Sequence, residues 1–132
     1  NIIRVWGGGV TERPEFFDAC DRLGGFVSRP LTVTQAQFKC LCMYVCCCDV
    51  GVFVFQEFWM TGDNNGRWAG SYDWPLNHTL YLEAVRDTLF LHRNHPSLLF
   101  YDAGNELYPT SKNPPPALLS KMEALVAEVD PG

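Results

Sequence analysis

Apolar residues fall along this chain in short dense runs that alternate with runs at helical spacing. Ile2-Ile3-Arg4-Val5-Trp6 is a strand-like run, and Gly7-Gly8-Gly9 brings it to a stop. Phe16, Cys20 and Leu23 then recur at helical spacing after Pro14, a residue suited to a first helical turn, and Phe17 widens the stripe. Gly24 is a natural helix stop. Val52 to Phe55 is the next dense run, ending in Gln56-Glu57-Phe58-Trp59. Asn77 to His92 reads as a helix, with Leu80, Ala84 and Leu91 on one face and Val85, Thr88 and Leu89 beside them. Arg93-Asn94-His95-Pro96 breaks it. Leu98 to Tyr101, bounded by His95-Pro96 and Gly104, suits a strand covered on both faces. Beyond the stiff Pro109 to Pro116 connection, Leu118, Met122, Leu125 and Val129 mark an amphipathic helix. Strand, helix, strand, helix, strand, helix is an α/β order. It predicts a parallel sheet with helices outside, either part of an eight-stranded barrel or a small open sheet.

The stretch from Gly25 to Gly51 interrupts this rhythm. Helix-to-strand connections in α/β units are normally about 2–6 residues long. Joining Gly24 to Val52 would give Asp-Arg-Leu-Gly-Val-Phe-Val-Phe-Gln-Glu-Phe-Trp, a helix end, a glycine stop and a buried strand. Residues 25–51 are therefore expected to be an insertion. It is either translated non-coding sequence such as a retained intron, or a genuine surface extension. Chain entropy does not forbid it, because closure cost grows slowly with loop length. Its exposed apolar and thiol groups are the greater liability.

The 132 residues suffice for one small domain, and a 47% hydrophobic content excludes a disordered tail. Ten basic and 15 acidic residues leave a net charge of −5 with no basic stripe, so nucleic acid is not an expected partner. No apolar run reaches the roughly 18–20 residues of a membrane helix, so a membrane is not one either. Five of the six cysteines lie between Cys40 and Cys48, three of them consecutive. That clustering fits neither a disulfide framework nor the paired ligand spacing of a zinc site, so no metal or cofactor is expected. Cys20 reads as core filler. Asn77-His78-Thr79 fits a glycosylation sequon, but Asn77 also suits a helix cap. The first residue is an Asn inside a strand-like run, and Asp130-Pro131-Gly132 ends where a turn should lead onward. Both ends are expected to be cuts through a larger domain.

Chemistry concentrates where the dense runs end. In a barrel of parallel strands, polar residues at the carboxyl ends sit where substrates bind. Pro96 to Tyr101 leads through Asp102-Ala103-Gly104 into Asn105-Glu106, an amide and a carboxylate side by side. A partly shielded carboxylic acid there can hold a proton and deliver it to a leaving oxygen. Taken alone, Asn-Glu equally begins a turn. Arg4 inside an apolar strand needs a carboxylate partner or a wet cavity. The glycines after it lack the ending and spacing of a phosphate loop. Asp63, Arg67, Trp68, Tyr72, Asp73 and Trp74, in a long loop from Met60 to Leu76, combine aromatic faces with polar groups as a sugar ring requires. An ordinary well-packed loop would carry similar anchors. His92 and His95 read as structural or solvent-facing.

Asn1 to Gly9 with Glu12 to Asp21 resembles the second barrel strand and helix of glycoside hydrolase family 2, in its β-mannosidase and exo-β-glucosaminidase branch and nearest its plant-type members. Gln56-Glu57-Phe58-Trp59 with Thr61-Gly62-Asp63 is similar to the third strand and its loop. Arg93-Asn94-His95-Pro96-Ser97 through Gly104-Asn105-Glu106 is similar to the fourth. The resemblance covers nearly everything but residues 25–51, and it implies a partial (β/α)8 TIM barrel, about strand 2 to helix 4. It implies a retaining glycosidase that hydrolyses β-mannosides or β-glucosaminides with two carboxyl groups about 5 Å apart. Glu106 matches the general acid/base. Asn105 matches the amide that bonds the sugar 2-hydroxyl, and Arg4 the arginine near the nucleophile. Trp6, Glu57 and Trp59 match positions lining the sugar pocket. The nucleophile belongs to a seventh strand with no counterpart in these residues, so the isolated chain is expected to be inactive and the rest of the barrel to come from a longer protein. Asp102 departs from an apolar position of the family, and Phe55 and Phe100-Tyr101 stand where relatives often carry tryptophan. The competing readings are a carbohydrate-binding remnant without turnover and a non-functional gene-model fragment.

Overall fold

The computed structural model describes residues 1–23, 52–61, 75–107 and 114–131. They form β1 (Ile2–Val5), α1 (Pro14–Leu23), β2 (Phe53–Glu57), α2 (His78–His92), β3 (Leu98–Asp102) and α3 (Pro116–Val129). The expected alternation is present, with small shifts of boundary. β1 stops one residue before Trp6, and β2 runs on to include Gln56 and Glu57. The 25–51 insertion with its cysteine cluster, most of the long loop with its six candidate sugar contacts, and residues 108–113 of the proline-rich connection lie outside the described residues.

The strands form one parallel sheet in the order β1-β2-β3. Register pairs Arg4 with Phe55 and Val5 with Gln56, then Phe55 with Phe100, Gln56 with Tyr101 and Glu57 with Asp102. A shift between Val54 and Phe55 accommodates one extra residue, Leu99, on β3. Because side chains alternate, these rows sort onto two faces. Val5, Val54 and Tyr101 join the helices in the core, against Phe17 and Cys20 of α1, Val85 and Leu89 of α2, and Met122 and Val126 of α3. Arg4, Phe55, Phe100, Glu57 and Asp102 share the other face, where no described helix packs. The rings of Phe55 and Phe100 lie 4.3 Å apart there, with the Arg4 guanidinium 6.0 Å from the Phe55 centroid. Among the described residues β1 is an edge strand, and Ile2 and Ile3 are exposed.

Helix ends follow the local chemistry. Asn77 caps α2, its side-chain oxygen accepting from Leu80 N at 3.0 Å. Proline fills the first position of α3, where no N–H is needed. All four apolar positions expected to face inward on α3 are buried. On α2 the expectation is corrected. Tyr81, Val85, Leu89 and His92 are buried, while Leu80, Ala84 and Leu91 are exposed. That helix is apolar around most of its circumference, so spacing alone does not select the inner face, and contact with α1 and α3 does. On α1, Phe17 and Cys20 are buried as expected, but Leu23 is exposed.

Two histidines and an aspartate tie the helices to the amino-terminal side of β3. Asp21 accepts from His95 Nδ1 at 2.6 Å and from Ser97 N at 2.8 Å, fixing α1 to the turn that enters β3. Burial pulls the Asp21 carboxyl upward, but the hydrogen bonds from Ser97 and His95 outweigh it and hold the pKa below its ordinary value. His92 is fully buried, stacks on Phe17 at 4.0 Å between ring centroids, and directs Nε2 at the Glu12 carbonyl 3.3 Å away. Burial lowers its pKa to about 4. Arg93 donates to the Val129 carbonyl at 2.9 Å, closing the end of α3.

Both perturbed groups make the fold acid-sensitive. A neutral His92 in the folded chain and a protonated one in the unfolded chain mean that stability falls as pH drops from about 6.5 towards 4, by on the order of 3 kcal/mol in full. The depressed Asp21 adds a loss in the same direction at lower pH. Thermal melting across this range should show the decline, and His92→Phe, which keeps an aromatic stack on Phe17, should flatten its upper part. Asp21→Ala leaves the Ser97 N–H and His95 without their acceptor and should cost about 1–3 kcal/mol in denaturant titrations at neutral pH.

Candidate active site at the carboxyl ends of the strands

The carboxyl ends of β1 and β2 meet through one buried acid. Glu57 is the last residue of β2, and its side chain is 2% exposed. Burying a carboxylate is costly unless charge and hydrogen bonds compensate. Here Arg4 of β1 donates Nε to Glu57 Oε1 at 2.7 Å, with a second guanidinium nitrogen at 2.6 Å. The backbone N–H of Gly7 donates to the other oxygen, Oε2, at 2.8 Å. Glycine is required at that point because a Cβ on Gly7 would lie 2.5 Å from the Phe58 carbonyl oxygen. The apolar strand with one arginine therefore has its carboxylate partner, and that partner comes from the neighbouring strand.

Arg4 also reaches past β2. Its Nη2 donates to Asn105 Oδ1, so a single guanidinium links the ends of the first two strands to the segment after β3. Asn105 is held from the backbone side as well. Its N–H donates to the Met60 carbonyl at 2.9 Å, and it bridges in parallel to Thr61. Gly104 has a φ of +152°, and a Cβ there would strike the Met60 carbonyl. Glu106 follows with a φ of +51°, a left-handed conformation that a residue with a side chain rarely adopts. Such backbone persists where surrounding contacts over-determine it. Here those contacts are the Asn105 bonds and the close passage under Met60.

The six residues singled out in the sequence are placed at one end of the sheet. Arg4, Asn105 and Glu106 lie along the rim, with Arg4 half exposed and Glu106 exposed. Trp6 and Trp59, following β1 and β2, are 52% and 54% exposed. The Glu57 carboxylate is bonded to Arg4 and Gly7 and lies beneath the surface.

Two further groups stand beside these residues, the Gly7 N–H and Asp102, the latter marked in the sequence only as a departure from an apolar position. The Gly7 N–H has a role that no glycine run announces. Asp102 is the register partner of Glu57 and half-buried beside it. Burial is the main cause that raises its pKa, and the Glu57 charge adds to it. The N–H groups of Ala103 and Gly104 and the charge of Arg4 act against that rise. Its acidity within an otherwise apolar strand was the available signal. Elsewhere, Asp18, Asp21 and His95 gather ligand-type atoms within 4.8 Å of one another. That cluster sits at the entry to β3, away from this rim, and its short contact is the His95–Asp21 hydrogen bond already described.

No known family model matches the chain, and no solved structure matches it. It is 40% identical over 111 residues to a protein of Lilium longiflorum named mannosylglycoprotein endo-beta-mannosidase. It is 29% identical over 107 residues to beta-mannosidase B of Thermothelomyces thermophilus, and 30% identical over 107 residues to beta-mannosidase B of Aspergillus fumigatus. These alignments cover 83%, 81% and 81% of this chain but 9% of each relative. Over some four-fifths of its length, the chain is thus similar to about a tenth of proteins that carry the names of β-mannoside-cleaving glycosidases.

Proposed function

We propose that this chain is the portion of a (β/α)8 barrel of glycoside hydrolase family 2 that carries the general acid/base for retaining hydrolysis of β-mannosides. The observation that carries the reading is Arg4 joined to both Glu57 and Asn105 at the carboxyl ends of three parallel strands, one residue from Glu106. The barrel is supported by the sequential strand order and by the sheet face carrying Arg4, Glu57, Asp102 and the Phe55–Phe100 rings, which no described helix covers. Active groups of such barrels gather at this end. The relatives' names support the glycosidic bond as the target and a carbohydrate as the partner. A β-glucosaminide is the alternative substrate of the same branch.

In this mechanism Asn105 and Arg4 orient the sugar, Asn105 hydrogen-bonding its 2-hydroxyl. Trp6 and Trp59 pack against C–H faces of the rings. Glu106 donates its proton to the glycosidic oxygen as the C–O bond breaks. A second carboxylate, from a later strand of the longer protein, bonds to the anomeric carbon. Glu106 then takes a proton from the water that releases the sugar and regenerates both carboxyl groups. One member of the pair cannot complete this cycle, so turnover requires the longer protein.

The test is Glu106→Gln in the longer protein. Hydrolysis of a β-mannoside with a poor leaving group should fall by about 10²–10⁴-fold, the range for loss of a positioned proton donor. An aryl β-mannoside whose leaving group needs no proton should lose far less in the first step. Near-normal turnover of the poor-leaving-group substrate would refute the assignment.

A further inference from the structure

We propose that Gly8 is a positioning residue that seats the indole of Trp6 after the carboxyl end of β1. The seat is a matter of geometry, and only its consequence for sugar binding rests on the glycosidase reading.

Gly7, Gly8 and Gly9 follow β1 in an unbroken run, and the three are not alike. The Gly9 N–H donates to the Trp6 carbonyl at 3.2 Å, so residues 6–9 close a turn with Gly7 and Gly8 at its centre. Among the described residues Gly104 is the only glycine with a positive φ, so this turn does not need glycine for its backbone. Gly7 is small because the Phe58 carbonyl passes close by. At Gly9 the nearest atom to an added Cβ is 3.8 Å away, so a side chain fits there. Gly8 differs from both. A Cβ there would overlap Cε2, Cζ2 and Cη2 of Trp6, so one edge of the indole lies against the glycine backbone.

The Trp6 ring is 52% exposed and stands outside the buried core. It is thus an aromatic surface backed by a turn. A ligand that packs on a side chain must stop its motion, and backing by Gly8 supplies part of that order beforehand. The turn itself is fixed, because the Gly7 N–H is bonded to the buried Glu57 carboxylate at 2.8 Å. A methyl group on Gly8 therefore displaces the ring, the far end of a rotatable side chain, and leaves the backbone where it is.

The experiment uses the longer protein with Gly8→Ala, Gly9→Ala, Trp6→Ala and the double variant Gly8→Ala/Trp6→Ala. In crystals the wild-type indole should lie against Gly8, and in Gly8→Ala it should move to another rotamer. With an aryl β-mannoside, Gly8→Ala should raise KM about two- to tenfold while kcat stays within about twofold, as loss of binding shared by ground and transition states does. Gly9→Ala should match the wild type. In the Trp6→Ala background, Gly8→Ala should change neither KM nor melting temperature, because no ring remains to displace. An indole that keeps its place in the Gly8→Ala crystal would overturn the proposal. So would an unchanged KM in that variant, an effect that persists without the Trp6 ring, or a Gly9→Ala variant equally impaired. Should Gly8→Ala fail to fold, the double variant must fold for the proposal to stand. An inactive wild-type protein would fell the glycosidase reading, while the ring position and the melting temperatures still decided the role of Gly8.

Discussion

A carboxylate buried at the end of the middle strand sets the conditions for everything around it. Burying the Glu57 side chain is costly unless charge and hydrogen bonds compensate, and Arg4 and the Gly7 N–H supply both. That requirement binds β1 to β2 at their carboxyl ends and dictates a glycine after β1. It also orients Arg4, whose Nη2 lies against Glu57 and donates to Asn105 as well. One desolvated charge thus positions side chains from three strands. Losing one partner of such a pair leaves the other buried or misdirected, a penalty on the order of 3–5 kcal/mol.

The sheet divides its labour by face. On the helix side, Val5, Val54 and Tyr101 contribute to a core with Phe17, Leu89 and Met122, and burial of apolar surface supplies the stability. On the other side, Arg4, Glu57 and Asp102 share a face with the Phe55–Phe100 ring pair. Carboxyl ends and amino-terminal ends also differ. The amino-terminal side of β3 is fastened by Asp21, His95 and Ser97, contacts that serve the fold. The carboxyl end carries the rim of exposed tryptophans, guanidinium, amide and acid. The two ends of the same short strands thus carry different sets of contacts.

Strain is concentrated at the candidate proton donor. Gly104 and Glu106 adopt unusual backbone within three residues of one another. The Met60 carbonyl and the Arg4–Asn105 bond brace them. A residue carried on such a turn is held in place by its neighbours.

Much of this was legible in the chain alone. Periodicity and punctuation placed six elements in order, and Asn77 announced the start of α2. Those signals are local, and local propensity is written residue by residue. Tertiary structure decided what depends on distant neighbours. It chose the inner face of α2, an apolar helix whose spacing admits more than one. It also made Glu57 a buried anchor, because only strand pairing brings a guanidinium and a backbone N–H to its two oxygens. Register alone set Asp102 beside that anchor. Partners 53 and 101 positions apart in sequence, as Arg4 is from Glu57 and Asn105, meet only when the sheet closes, and no pattern in a single strand encodes that meeting.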